Sequence, residues 1–290
     1  VSNKGNFADP YLEVFLKKLK EKGLIDELIE YVPRRFTDME KINMTHPEST
    51  YPSTDTPFAI YDRTYNELTK RNIGRIYCKK NGCSHFISMD TDEFYIENDL
   101  KKAFNDVSEN NYSSSFALMK EYFKRPIYQI EPLNNGYLVP FIQKTELELK
   151  IGAFNTKYLN KNYAVDPTRC VKIEEKDNHK IYNRNEIEMH HMTYVRNNIN
   201  IKINNSNYQK NKLDFIEYIN NWKFGDKVKL PNREGDEYVV ECEDIFNIGD
   251  ISNHVNDLEY FLNKGIEYNK NTQYKEAIEI FNKILYFYPE

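Results

Sequence analysis

The stretch Ser84–Tyr95, S-H-F-I-S-M-D-T-D-E-F-Y, decides the reading of this chain, because an apolar run ends there in two carboxylates one residue apart. Side chains at i and i+2 share a face of a strand, so at a strand's end Asp90 and Asp92 can converge on one hard cation. Mg²⁺ and Mn²⁺ favour oxygen ligands and share their shell with substrate phosphates, so the pattern predicts a site for a phosphorylated substrate. Glu93 adds a third acid, as a ligand or as an orienting group. D-x-D also occurs in ordinary acidic surface loops, and its surroundings give it weight.

Upstream, Thr64–Gly82 reads T-Y-N-E-L-T-K-R-N-I-G-R-I-Y-C-K-K-N-G and sets Tyr65, Leu68, Ile73, Ile76 and Tyr77 on one helical face. Asn81-Gly82 signals a stop, with the strand directly after it. Helix, tight turn, buried strand and D-T-D-E therefore follow one another. The run R-N-I-G-R-I-Y-C (Arg71–Cys78), then N-G, then F-I-S-M-D-T-D-E resembles the core of the glycosyltransferase family 2 type enzymes with a GT-A fold. In that family an R-N-x-G helix precedes a strand ending in D-x-D-[DE]. The resemblance implies an α/β domain, a GT-A-like mixed sheet flanked by helices. It implies a nucleotide-sugar donor whose diphosphate is held through Mn²⁺ or Mg²⁺ at Asp90 and Asp92, with Arg71 and Asn72 near the nucleotide. A complete domain of this type opens with a further strand, acid and helix, so the resemblance also implies that roughly fifty residues precede Val1 in the natural chain.

A second constellation lies in Glu186–Ser206, E-I-E-M-H-H-M-T-Y-V-R-N-N-I-N-I-K-I-N-N-S. Members of the resembled family commonly supply a late His to the metal or the diphosphate, which makes His190 and His191 candidates for the metal. Arg196 and Lys202 are candidates for offsetting charge on the leaving phosphate. Adjacent strand residues point to opposite faces, so one of the two His is expected to serve. A general base would have to come from a carboxylate beside the acceptor hydroxyl. Asp166, in V-D-P-T-R (Val165–Arg169), and Glu186 or Glu188 are the candidates, with Asp166 and Glu188 preferred. None has a recognisable spacing.

The ends carry other signals. Asp9-Pro10 opens a helix with Leu12, Phe15, Leu16 and Leu19 on one face, stopped by Gly23, and Glu27–Val32 then alternates like a strand before Pro33. A helix with Ile216 and Ile219 on its face runs from about Leu213 to Trp222. From Leu258 to Glu290 the chain resembles one tetratricopeptide repeat: Phe261, Gly265, Tyr268, Ala277, Phe281 and Pro289 fall at that family's spacing, while Ile284 stands where a small residue is usual. A lone repeat leaves an apolar face open, so further repeats beyond Glu290 and a protein partner are implied. The expected division is a transferase domain over 1–256, its acceptor side at about 114–205, with an α-helical hairpin over 257–290.

A net charge of −5 provides no broad basic field for nucleic acid. No apolar run approaches the ~20 residues that span a bilayer. These features fit a cytoplasmic protein, including one peripheral to the inner face of the membrane and acting on a glycan or lipid-linked acceptor. Cys78, Cys83, Cys170 and Cys242 lack C-x-x-C spacing and read as reduced packing residues. Among the 23 Tyr and 17 Phe, Tyr128, Tyr137 and Phe141 could line a sugar groove, although such residues are more often half-buried core. Two other classes compete with glycosyl transfer. One is a haloacid dehalogenase type phosphatase, disfavoured because Phe94 stands where Thr or Val is usual. The other is a non-catalytic scaffold that carries the repeat.

Overall fold

The computed structural model describes residues 2–3, 10–45, 58–152, 163–171, 178–195, 203, 212–230 and 237–246. The tetratricopeptide-like stretch, Arg196 and Lys202 lie outside the described residues. The architecture is mixed α/β with a large, mostly antiparallel sheet. In chain order the elements are β1 (Ser2–Asn3), α1 (Pro10–Glu21), β2 (Glu30–Tyr31), α2 (Asp38–Met44), α3 (Phe58–Lys80), β3 (His85–Ile87), β4 (Glu93–Phe94), α4 (Glu97–Glu109), β5 (Ser114–Phe123), β6 (Arg125–Glu131), β7 (Tyr137–Lys144), β8 (Ala164–Val165), β9 (His179–Ile181), β10 (Glu188–Tyr194), α5 (Lys212–Asn221) and β11 (Tyr238–Glu241).

Both predicted helix stops work by the same device. After α3, Gly82 takes φ +80°, its N–H donates to Lys79 O, and Cys83 N–H donates to Cys78 O at 3.0 Å. After α1, Gly23 takes φ +70°, its N–H donates to Lys20 O, and Leu24 N–H donates to Leu19 O. A residue in the left-handed region lets the chain fold back onto the last orphan carbonyls, and glycine adopts that conformation without a Cβ clash. The strand expected over Glu27–Val32 is confined to β2, because Tyr31 and the chain after it are drawn to α3: Tyr31 Oη and Arg34 N–H both donate to Asn66 Oδ1.

The chain divides into two compact units, Val1–Gly5 with Ile29–Glu121 and Glu131–Met192, and Asn6–Leu28 with Tyr122–Ile130 and Thr193–Glu290. In the first, β7 is antiparallel to β3 and β5 and parallel to β8, while β5 also takes β9 in parallel. Strand alternation separates two cores. Phe116 and Leu138 pack with Tyr65 and Leu68 of α3, and their neighbours Ala117 and Val139 pack with Ala103 and Val107 of α4. Phe141 is fully buried and stacks on Tyr95 at 5.4 Å, so it is core and not a groove wall. In the second unit β6 is antiparallel to the end of β5, and Phe215, Ile219 and Trp222 pack with Phe123, Val228 and Val239. Tyr128 packs there too, edge-on to Trp222. The expected helix from Leu213 is α5, and Trp222 directly follows it. The region beyond it is not helical throughout, since Val228 bridges to Glu237 and β11 follows.

All four cysteines are free thiols, though Cys83 is exposed and so is no packing residue. No described helix is long and apolar enough to cross a membrane.

Candidate functional site

Asp90, Thr91 and Asp92 do not sit on a strand, while Glu93 opens β4. β3 ends at Ile87, and Asp90–Glu93 form a turn in which Glu93 N–H donates to Asp90 O at 3.2 Å. Asp90 N–H in turn donates to Glu93 Oε2 at 3.1 Å. The Glu93 side chain bonds back to the Asp90 backbone and holds the segment as a turn, so the approach of the acids comes from this turn and not from strand alternation. Asp90 is exposed, whereas Asp92 and Glu93 are buried.

Two guanidiniums meet the turn. Arg71, on α3, donates through Nη2 to both Asp90 oxygens at 3.1 and 3.2 Å, through Nη1 to Ser88 Oγ at 2.6 Å, and through Nε to Thr168 Oγ1 at 3.2 Å. Arg169 follows a second turn, in which Arg169 N–H donates to Asp166 O and Asp166 Oδ1 accepts from the Thr168 N–H and hydroxyl. Asp and Pro at the first two positions suit such a turn. Arg169 Nη1 donates to Glu93 Oε2 at 2.7 Å and Nη2 to Glu93 Oε1 at 2.5 Å; Nη2 also donates to Asp90 Oδ2 at 2.8 Å. Burial disfavours the Arg169 charge, but the bond to Glu93 and the Asp166 and Asp90 carboxylates outweigh it and hold the guanidinium above its ordinary value. Burial likewise opposes the Asp90 charge, yet Arg71 and Arg169 keep Asp90 below the usual carboxylate range. For Glu93 burial wins over the pull of Arg169 and raises the carboxyl.

The late His pair reaches this turn. β10 lies between β5 and β4, antiparallel to β4, with His191 opposite Glu93 and His190 opposite Phe94. Met192 N–H donates to Asp92 O at 2.8 Å. Residues directly opposite in an antiparallel pair share a face, so His191 lies on the Glu93 side. His190 belongs to the other face, where it is buried and its pKa falls to about 4, chiefly from burial, with Lys120 acting in the same sense.

Neither a family model, nor a curated protein, nor a solved structure matches this chain.

The turn thus gathers Arg71, Asp90, Asp92, Asp166 and His191 of the residues singled out in sequence. Asn72 does other work: its Nδ2 donates to Leu149 O at 2.9 Å and its Oδ1 accepts from Leu149 N–H and Arg75 Nε, clamping the chain after β7 to α3. Glu188 is held in a separate cluster by Lys120 at 2.8 Å and by Arg184. Asp166 carries its Oδ1 on Thr168 and its Oδ2 3.1 Å from Arg169 Nε. Both base candidates therefore have their oxygens committed within the fold.

Among the described residues no three His, Cys, Asp or Glu side chains are placed to hold a metal ion by themselves. Mg²⁺ and Mn²⁺ commonly take one or two carboxylates and complete their shell with waters and substrate phosphates. Asp90, Asp92 and His191 are therefore not placed as a complete ligand set, and a cation at this turn would have to bring waters and a phosphorylated ligand with it. The turn is rich in acid, since Asp90, Glu93 and Asp166 meet two arginines and Asp92 acts on Asp90 as a like charge. Arg169 and Thr168 were not singled out in sequence. The signal was present in V-D-P-T-R, where an Arg beside Asp and Pro marks a polar turn, but nothing local says that this Arg is buried on acids about 76 residues upstream.

Proposed function

We propose that this chain is a metal-dependent glycosyltransferase that moves a sugar from a nucleotide-sugar donor to a glycan or lipid-linked acceptor, and that its sheet is a GT-A-like one. The observation that carries the reading is the register of β10, which brings His191 opposite Glu93 of the D-T-D-E turn although about a hundred residues separate them in sequence. Asp90, Asp92 and His191 would hold Mn²⁺ or Mg²⁺. The cation would neutralise charge on the departing diphosphate. Arg71 and Arg169 would orient the phosphates, each through the Nη2 group that meets Asp90. The stretch Leu258–Glu290, whose sequence resembles a tetratricopeptide repeat, would recruit a protein partner.

The test is Mn²⁺-dependent hydrolysis of a panel of nucleotide sugars, with Asp92→Asn as control. Turnover of a donor that the substitution removes is the expected result. A folded protein silent across the panel would sink the enzymatic reading and leave a binding protein built on the same turn.

A further inference from the structure

The Asp90 carboxylate covers a pair of buried guanidiniums. Its side chain is 44% exposed, against 6% for Arg71 and 2% for Arg169. Nη2 of Arg71 and Nη2 of Arg169 converge on it at 3.1 and 2.8 Å. Neither guanidinium depends on Asp90 for its position. Arg71 is fixed by Thr168 Oγ1 and Ser88 Oγ, and Arg169 by the Glu93 carboxylate and by Ser88 O at 3.1 Å. The two Nη2 groups are thus aimed in advance at one point, and the group at that point is a solvent-facing anion on a turn.

We propose that this point is a phosphate subsite and that Asp90 is its built-in competitor. One charged Nη2 donor from each of two oriented guanidiniums suits a phosphate oxygen pair at least as well as a carboxylate. Donors already oriented by the fold give up little freedom on binding. The other acids near Arg71, Glu67 at 3.3 Å and Asp166 at 3.8 Å, approach the same Nη2 less closely than Asp90. Glu67 also has Lys70 at 2.6 Å to satisfy it. Asp90 is therefore the group that a phosphate must displace. A cation that draws Asp90 away opens the subsite, so cation and diphosphate help each other to bind. Assigning the phosphate to a nucleotide-sugar diphosphate rests on the function proposed above; the subsite itself does not.

The test is calorimetric titration of inorganic pyrophosphate, in EDTA, into wild type, Asp90→Ala and Asp90→Asn. Removing a competing charge from two oriented guanidiniums is expected to tighten binding about tenfold in Asp90→Ala. Asp90→Asn, whose amide oxygen still accepts from an Nη2, is expected to fall between the two. Arg169→Lys added to Asp90→Ala should erase the gain, because one ammonium cannot span Glu93 and this point as the guanidinium does. Equal or weaker binding by both Asp90 variants overturns the subsite. Both variants should fold, since the backbone bonds of the turn do not use the Asp90 side chain. A gain in Asp90→Ala from a protein that turns over no donor keeps the subsite and discards glycosyl transfer. Donor turnover without that gain does the reverse.

Discussion

Arg169 grips Glu93 with both ends of its fork, Nη1 to Oε2 at 2.7 Å and Nη2 to Oε1 at 2.5 Å, and only 2% and 4% of the two side chains remain exposed. Seventy-six residues separate them, so the pair ties the turn after β3 to the turn after β8. The turn that carries the candidate cation ligands is held from beneath by this contact.

Breaking one side of that pair should cost far more than the pair itself contributes. Arg169→Met leaves the Glu93 carboxylate buried beside Tyr95 with its main counter-charge gone, and such losses run to about 3–5 kcal/mol. Urea unfolding is expected to show a drop of that order. Arg169→Met combined with Glu93→Leu should recover a good part of it, because two apolar groups of similar volume impose no unpaired charge. Strict additivity of the single losses would show that the two side chains are not energetically coupled.

Two glycines of the same helix should respond with opposite sign. Gly82, at φ +80°, ends α3 in the left-handed region, while Gly74 lies within the helix; an added Cβ would meet nothing within 4 Å at either. With no steric clash in play, only the backbone term remains. Gly82→Ala should destabilise by about 1 kcal/mol. Gly74→Ala should stabilise by about 0.5–1 kcal/mol. Thermal melts of the two variants check the pair, and a common sign would refute the backbone account.

His190 gives the stability an acid-side slope. Burial lowers its folded pKa to about 4, with Lys120 assisting and Glu188 and Asp99 opposing. The unfolded chain takes up the proton near pH 6.5, and the folded chain does so only near 4. The stabilisation is therefore complete above about pH 6.5 and is lost as the pH falls from there through 4, to a total of about 3 kcal/mol. Urea unfolding between pH 7 and pH 4, in chelator, should show this decline, and His190→Gln should flatten it. An unchanged slope in the variant would place the titrating group elsewhere.

How much of this was legible in the sequence varies with the range of the interaction. Helix ends are readable because Gly23 and Gly82 turn the chain back onto carbonyls only three to five residues before the N–H that reaches them. The strand after Asn81-Gly82 is readable from its apolar run, but it spans only His85–Ile87 and buries only Phe86. The turn at Asp90–Glu93 was misread as a strand end, since a D-x-D pattern is compatible with either and only the mutual bonds of Asp90 and Glu93 decide it. Asn72 was assigned to a ligand although its amide serves the Leu149 backbone, a partner 77 residues on that no local pattern announces. Arg169 was overlooked for the same reason. Polar residues whose partners lie far along the chain have no period to betray them, whereas apolar faces do.

Register also divides the two adjacent His into different roles, and substitution should separate them. His191 stands opposite Glu93, on the side of the arginine and acid cluster, while His190 stands opposite Phe94 and is only 3% exposed. An imidazole that joins a cation shell beside Asp90 must present a neutral nitrogen lone pair on the Glu93 face. His191 meets the requirement of face, and His190 does not. His191→Ala should therefore abolish the rise in melting temperature produced by Mn²⁺ together with pyrophosphate. It should leave the melting temperature in EDTA within a few degrees of wild type, since a half-buried strand position loses little packing. His190→Gln should do the opposite, altering the melting temperature in EDTA and keeping the response to Mn²⁺ and pyrophosphate. If His190→Gln alone removed that response, the cation would lie on the opposite face of β10 and the D-T-D-E turn would lose its claim to it.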